Sequence, residues 1–297
     1  SYRGPDASGI NLYENFIFAH CRLSIIDLDE RSNQPMIDKE NGNIIIFNGE
    51  IYNFENLKKR LIKKGIKFLT NSDTEVLLKG FAFYGVDFFK KLKGMFSLAI
   101  YVKNLKRVFL ARDFSGEKPL YYYHNDNQFI FSSEIKSIIP LIDRKLDIDE
   151  SELSHFLRNG YSSFNNTILK DLKQIKPGYV IQFDERTNEI SNLGTFSIRD
   201  FLLNKEDDKG NLVDNLYVLL KKSVKNQLIA DVPIGTLLSG GLDSSVLTTI
   251  AAKLNPEISA FSVRFPDGEN AKDIQLSKDL ASKLGIKHNV IDAYKPN

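Results

Sequence analysis

The sequence predicts two successive domains of different class: an α+β layered domain over residues 1–200, then an α/β domain with a parallel sheet over residues 211–297. Three observations predict it. Short β-patterned runs bounded by turn residues crowd the first two-thirds. Two amphipathic helical segments interrupt them. After a polar, charged stretch near 199–211, strands alternate with helices, which is the pattern of a parallel sheet.

In the first part, residues 43–47 are apolar and β-branched, and Gly49 follows. Runs at 96–102 and 108–111 flank Lys103-Asn104-Leu105-Lys106 as a hairpin. Runs at 120–123 and 129–131 flank His124-Asn125-Asp126-Asn127 as a second. Residues 178–183 are a further strand. Residues 55–64 place Leu57 and Leu61 on one helix face, with Gly65 as the stop. Ser72 and Glu75 have capping-box spacing before Val76-Leu77-Leu78, which predicts a helix to Tyr84 with Gly85 after it. The run 204–211 predicts a surface loop or linker. Beyond it the pattern predicts helices at 211–229, 242–254 and 273–284, and strands at 233–238, 258–265 and 288–291.

Length and composition fit this division. A chain of 297 residues exceeds one typical domain. Forty basic residues against 38 acidic ones give net charge +2, which supplies no electrostatic case for nucleic acid or an anionic membrane. One cysteine, Cys21, excludes an intramolecular disulfide and a multi-thiolate zinc site, and suits a reducing cytoplasm. No apolar run reaches membrane-spanning length.

The sharpest chemical signal is Ser239-Gly240-Gly241-Leu242-Asp243-Ser244-Ser245, between a predicted strand and helix. Adjacent glycines let the backbone turn tightly and approach a ligand. The following helix presents free N–H groups and its positive dipole end. Three serines add hydroxyls. Together they make a cradle for phosphate or pyrophosphate, and neither a Walker A ending nor G-x-G-x-x-G is present. The string resembles the pyrophosphate loop of the N-type ATP pyrophosphatases. The resemblance implies that Leu238 contacts adenosine and that Val263 lines the nucleotide pocket. Asp243 is either a holder of Mg²⁺ on the phosphates or a helix cap.

Upstream, a set of strings recurs in order: Arg3-Gly4-Pro5-Asp6, His20-Cys21-Arg22-Leu23-Ser24-Ile25-Ile26-Asp27, Gln34-Pro35-Met36, Phe47-Asn48-Gly49-Glu50-Ile51-Tyr52-Asn53 and Ser72-Asp73-Thr74-Glu75. Gly94-Met95-Phe96, Ala111-Arg112-Asp113, Gly116-Glu117-Lys118-Pro119-Leu120-Tyr121-Tyr122 and Phe131-Ser132-Ser133-Glu134-Ile135-Lys136 complete it. These resemble the class II glutamine amidotransferase domain of glutamine-hydrolysing asparagine synthetases. With the ATP loop, the resemblance covers nearly the whole chain. It implies an N-terminal-nucleophile (αββα) sandwich followed by a partial α/β ATP-pyrophosphatase domain. The residue chemistry agrees. A guanidinium such as Arg22 offers a fork for an α-carboxylate. Glu50 and Asp73 are anions for an α-ammonium. The Asn48 amide and the Gly49 N–H would form the oxyanion hole for the amide carbonyl. Leu23, Ser24, Ile25 and Ile26 would line the glutamine pocket through their backbone. Taken singly each has an ordinary explanation: a surface salt bridge for Arg22, a tight turn for Asn48-Gly49, a favourable helix start for Asp73.

The resemblance implies that glutamine hydrolysis supplies ammonia. ATP and aspartate then give an acyl adenylate, which ammonia converts to asparagine, with Mg²⁺ on the phosphates. A different carboxylate acceptor (sugar or peptide), and a non-catalytic homologue, are alternatives. The family nucleophile is an N-terminal cysteine. Cys21 is internal and is expected to be buried and structural, so the nucleophile is expected upstream of Ser1 and the chain alone inactive as a glutaminase; a start without Met and an end just after a strand-like segment read as truncation at both ends. Tyr2 stands where the family often has His. A homodimer is the expected assembly.

Overall fold

The computed structural model describes residues 2–163, 165–195 and 211–294. Residues 204–210 of the predicted linker, and residues 295–297, lie outside the described residues; Asn211, the last residue of that run, is the N-cap of the helix that follows. The chain divides into two compact units, 1–206 and 207–297.

The first unit contains, in order, β1 (Ala7–Tyr13), β2 (Phe16–Arg22), β3 (Met36–Ile37), β4 (Ile44–Ile51), α1 (Phe54–Ile62), α2 (Asp73–Tyr84), β5 (Gly94–Val102), β6 (Arg107–Arg112), β7 (Tyr121–His124), β8 (Phe129–Ser132), α3 (Ile135–Ile138), α4 (Glu150–Asn159), β9 (Leu172–Gln174), β10 (Tyr179–Asp184) and β11 (Glu189–Thr195). The predicted strands and both predicted helices are present. The β1–β2 ribbon, β3, β9, β11, α3 and α4 are additional. A six-stranded antiparallel sheet has the order β11-β10-β6-β5-β4-β3. A three-stranded sheet, β8-β7-β9, and the β1–β2 ribbon form separate ladders.

Side-chain alternation along the strands builds two cores. Ile44, Ala99, Tyr101, Val108 and Leu110 of the large sheet pack against Phe18 of β2 and the partly buried Tyr122, Phe129 and Phe131 of β7 and β8. Rings on the opposite face meet the helical layer: Phe109 lies 5.0 Å from Phe81 of α2, which lies 5.3 Å from Phe89. Outside the small sheet, Ile138 of α3 packs with the fully buried Tyr123 and Leu172. Helix, sheet, sheet and helix thus follow one another, the αββα arrangement that the resemblance implies.

Two sequence expectations change here. Ser72 does cap α2, its Oγ accepting the Glu75 N–H at 3.2 Å. Glu75, however, does not return to the Ser72 N–H as a capping box requires. Its carboxylate instead accepts the N–H groups of Leu69 and Thr70 and the Thr70 hydroxyl, at 2.9, 2.7 and 2.8 Å. Glu75 therefore ties the incoming loop to the first turn of α2, where Asp73 sits. Cys21, expected to be buried, is exposed. On β2 the inward side chains are Phe18, His20 and Arg22, so Ile17, Ala19 and Cys21 project outward.

The second unit has α5 (Leu212–Gln227), β12 (Gly235–Leu237), α6 (Leu242–Leu254), β13 (Ser259–Arg264), α7 (Ala271–Leu284) and β14 (His288–Asp292). The three strands form a parallel sheet in sequence order, and Leu238, Ala251, Ile258, Ala260 and Ala281 fill its core. Among the described residues, no helix is long and apolar enough to cross a membrane.

Candidate active site and nucleotide loop

The site in the first unit grows from one strand edge. β3 pairs only with Ile44 and Ile45, so the outer edge of β4 continues without a strand partner. Residues of one parity present their N–H and C=O groups to that edge. The Phe47 N–H donates to Gln34 Oε1 at 2.6 Å, and the Ile51 N–H donates to Asp73 Oδ2 at 3.1 Å. Gly49 lies between them, its N–H on the same side. Only glycine fits there: φ is +151°, and a Cβ would lie 2.0 Å from the Met95 carbonyl oxygen. Asn48 Nδ2 donates to Ser133 Oγ at 3.4 Å.

A cleft of about 240 Å³ opens over this edge. That is below the ~300–1,000 Å³ of drug-sized sites and suits a small metabolite. Arg22, Leu23, Ile25, Ile26, Asn48, Gly49, Glu50 and Asp73 all line it. Ser24 does not; its N–H donates to Asp6 Oδ2 at 2.7 Å and fastens the loop from outside.

Arg22 is engaged differently from the sequence expectation. Its Nη1 donates to the Asp29 carbonyl and to Asn33 Oδ1, at 3.2 and 2.9 Å. Its Nη2 donates to the carbonyls of Ile26 and Asp27, at 3.1 and 2.5 Å. The four terminal N–H donors are thus occupied, which leaves Nε–H and the positive charge for a ligand. Asp27 helps to shape the same loop. It holds a left-handed φ of 52°, and its carboxylate accepts the Asn71 N–H at 2.6 Å and the Ser32 hydroxyl at 2.8 Å.

Two of the lining side chains are carboxyls held above their ordinary range. Burial first, and then the neighbouring Asp73 charge, push Glu50 up to about 8, against Lys118 and Arg22. Burial pushes Asp73 up to about 6, opposed by the hydrogen bond from the Ile51 N–H. Glu50 Oε2 is buried without a hydrogen-bond partner among the described residues. A cationic group beside such a pair would favour its ionised form.

The cleft also takes in Arg3, His20, Gln34, Thr74, Met95 and Lys118, which the predicted ligand set omitted. Their only sequence signal was membership of the same recurring strings. Arg3 Nη1 donates to Glu134 Oε1 at 2.8 Å, and the Tyr2 hydroxyl donates to the same carboxylate at 2.7 Å. These bonds hold Glu134 down at about 2. The unusual Tyr2 thus fastens the first residues to the segment after β8.

In the second unit, Ser239-Gly240-Gly241 joins β12 to α6. Gly240 has φ +85°, and a Cβ would lie 2.4 Å from the Asp273 carbonyl oxygen. Gly241 is the helix cap, with no side-chain cap, so the first-turn N–H groups are directed at the loop's concavity. Asp243 is therefore not the cap; it sits exposed in the first turn. The serines brace the loop. Ser239 Oγ and Ser244 Oγ share a hydrogen bond of 2.9 Å, and Ser245 Oγ donates to the Gly241 carbonyl at 2.7 Å. Leu242 and Val263 are exposed beside it. Leu238 is 1% exposed; its side chain is core, its N–H donates to the Phe261 carbonyl at 2.8 Å, and its C=O accepts the hydroxyls of Ser262 and Ser277. First-turn N–H groups without a side-chain cap, beside the serine hydroxyls, suit an anionic group such as a phosphate. Among the described residues, no group of three His, Cys, Asp or Glu side chains could hold a metal alone.

Comparison with known proteins agrees with this geometry. A family described as "Glutamine amidotransferase domain" matches residues 1–193, and one described as "Asparagine synthase" matches residues 215–294. The chain is 36% identical over 288 residues to asparagine synthetase [glutamine-hydrolyzing] 1 of Bacillus subtilis, covering 97% of this chain and 44% of that protein. It is 37% identical over 256 residues to asparagine synthetase 3 of the same organism, covering 85% and 41% respectively. It is 33% identical over 286 residues to putative asparagine synthetase 2 of Methanocaldococcus jannaschii, covering 89% and 55%. The chain spans about half the length of the curated relatives it matches.

Proposed function

Because the chain belongs to the glutamine-hydrolysing asparagine synthetase family, we propose that its first unit binds glutamine for hydrolysis and that its second binds the ATP used to activate aspartate. The protein as a whole then makes asparagine, glutamate, AMP and pyrophosphate. One observation carries the reading. A single cleft is lined by the Asn48 amide, by Gly49, and by the carboxyls of Glu50 and Asp73, both held above the ordinary carboxylate range.

Free glutamine carries both complementary ends. Its α-ammonium lies between Glu50 and Asp73. Its carboxamide oxygen points at Asn48 Nδ2 and the Gly49 N–H, which stabilise the negative charge that develops there during acyl transfer. Arg22 holds the carbonyls of Ile26, Asp27 and Asp29, which shapes the loop whose Leu23, Ile25 and Ile26 line the cleft, and faces the α-carboxylate with its charge. In the second unit, Ser239, Gly240, Gly241, Leu242, Ser244 and Ser245 surround the phosphates, and Val263 flanks the base. Leu238 supports the loop from the core. Asp243 is placed to share a Mg²⁺ with the phosphates; when bound, that ion neutralises polyphosphate charge. The assembly is a homodimer in the cytoplasm, with no nucleic acid or membrane partner.

The test uses the protein at its native length with glutamine, ATP, Mg²⁺ and aspartate, assaying asparagine, glutamate and pyrophosphate together. All three products support the proposal. Glutamate and pyrophosphate without asparagine would move the acceptor away from aspartate. No glutamate would remove the glutaminase reading.

A further inference from the structure

His20 and Gln34 line the cleft, yet neither has a part in gripping glutamine. Both reach the same residue of β4. Gln34 Oε1 accepts the Phe47 N–H at 2.6 Å, and His20 Nε2 lies 3.0 Å from the Phe47 carbonyl oxygen. A carbonyl oxygen can only accept, so this bond puts the ring proton on Nε2. Nδ1 is then an acceptor without a partner, as the structure has it. The Gln34 amide is oriented from its other end, where Nε2 donates to Thr74 Oγ1 at 3.4 Å.

These two bonds occupy the place of a missing strand. β3 stops opposite Ile45, and an unpaired edge leaves backbone groups free to reorient. Two side chains from different elements, β2 and the segment before β3, complete the ladder at Phe47. The clamped peptide planes are those on either side of Phe47. The next residues along the strand are Asn48, whose N–H belongs to the clamped peptide after Phe47, and Gly49, whose N–H faces the same edge as that of Phe47 at a φ of +151°.

We propose that His20 and Gln34 are positioning residues for the oxyanion hole, clamping the Phe47 peptides so that the Asn48 amide and the Gly49 N–H converge on the carboxamide oxygen. This rests on the reading of the cleft as a glutamine site. A built-in clamp would give the hole its alignment before the reaction begins, which is where preorganised donors gain their advantage over water.

The test separates the two ends of the ligand. L-Norvaline carries the same α-ammonium and α-carboxylate as L-glutamine but no carboxamide. Calorimetric titration of the 297-residue chain with each ligand reads the two ends independently. The unmodified chain binds glutamine more tightly than norvaline. His20→Phe and Gln34→Leu weaken glutamine about three- to ten-fold, the worth of one misaligned hydrogen bond, and leave norvaline unchanged. His20→Gln, which keeps an N–H donor, and Gln34→Glu, which keeps an acceptor, retain the glutamine preference. Equal weakening of both ligands would show a merely structural role and overturn the proposal, as would unchanged glutamine affinity in His20→Phe and Gln34→Leu. If the unmodified chain shows no preference for glutamine, the underlying reading of the cleft falls first.

Discussion

Glutamine binding should be strongly pH-dependent, and the Glu50–Asp73 pair sets the direction. With Glu50 at about 8 in the empty cleft, the pair retains a proton at neutral pH. An α-ammonium between the two carboxyls favours their ionised form, so binding must expel that proton. Affinity therefore rises with pH. The gain continues upward through about pH 8, where Glu50 ionises in the empty cleft. Calorimetry in buffers of different ionisation enthalpy should report net proton release on glutamine binding at pH 7. Glu50→Gln should abolish most of the release and flatten the profile. The same group makes a stability prediction of determinate sign. A carboxyl whose folded pKa exceeds its ordinary value is stabilising while protonated. Its contribution is complete below about pH 4.5 and is lost as pH rises through about 8. Moving from 4.5 to about 8 corresponds to at most ~5 kcal/mol. Glu50→Gln should therefore raise the melting temperature of the ligand-free chain at pH 8 while weakening glutamine. Affinity independent of pH, with no proton released, would refute this reasoning.

Three further outcomes follow from particular contacts. Gly240→Ala forces a Cβ to within 2.4 Å of the Asp273 carbonyl at a positive φ, and should abolish ATP binding to the second unit while glutamine binding persists, read by titration with each ligand. Cys21→Ser should change stability by less than about 0.5 kcal/mol, because the side chain is exposed, and the native thiol should react stoichiometrically with a disulfide reagent without denaturant. Lys79→Met strips the cation from the buried Asp38, 3.6 Å away, and should cost about 3 kcal/mol in denaturant unfolding.

Much of this was legible in the sequence because core strands and long helices advertise their period. β4, β5 and β6 are nearly continuous apolar runs since both their faces are covered. α6 was legible to the residue from the loop that precedes it. The ribbon was not, because its pattern is inverted. Ile10, Leu12 and Ile17 face outward while His20 and Arg22 face inward, so hydrophobicity points to the wrong side, and Cys21 was misplaced with it. The same ambiguity attends Leu237 and Leu238: one is 79% exposed and the other 1%, and their order in sequence cannot say which. For the cleft, the sequence placed most of the predicted residues along the lining but not Ser24, and it showed none of their partners. That the terminal donors of Arg22 would be spent on loop carbonyls, that Glu75 would serve residues 69 and 70 rather than Ser72, and that His20 and Gln34 would meet at Phe47 all depend on loop paths without periodicity.

The central claim is that glutamine binds in the first unit with its carboxamide at Gly49. The most direct measurement is titration of the isotope-labelled 297-residue chain with L-glutamine, following backbone and asparagine side-chain amides by NMR. The account predicts saturable shifts at the Gly49 N–H, the Asn48 side-chain amide and residues 23–26, with the resonances of residues 239–245 unmoved. Saturable shifts confined to other residues, or none at millimolar glutamine and pH 8, would contradict it.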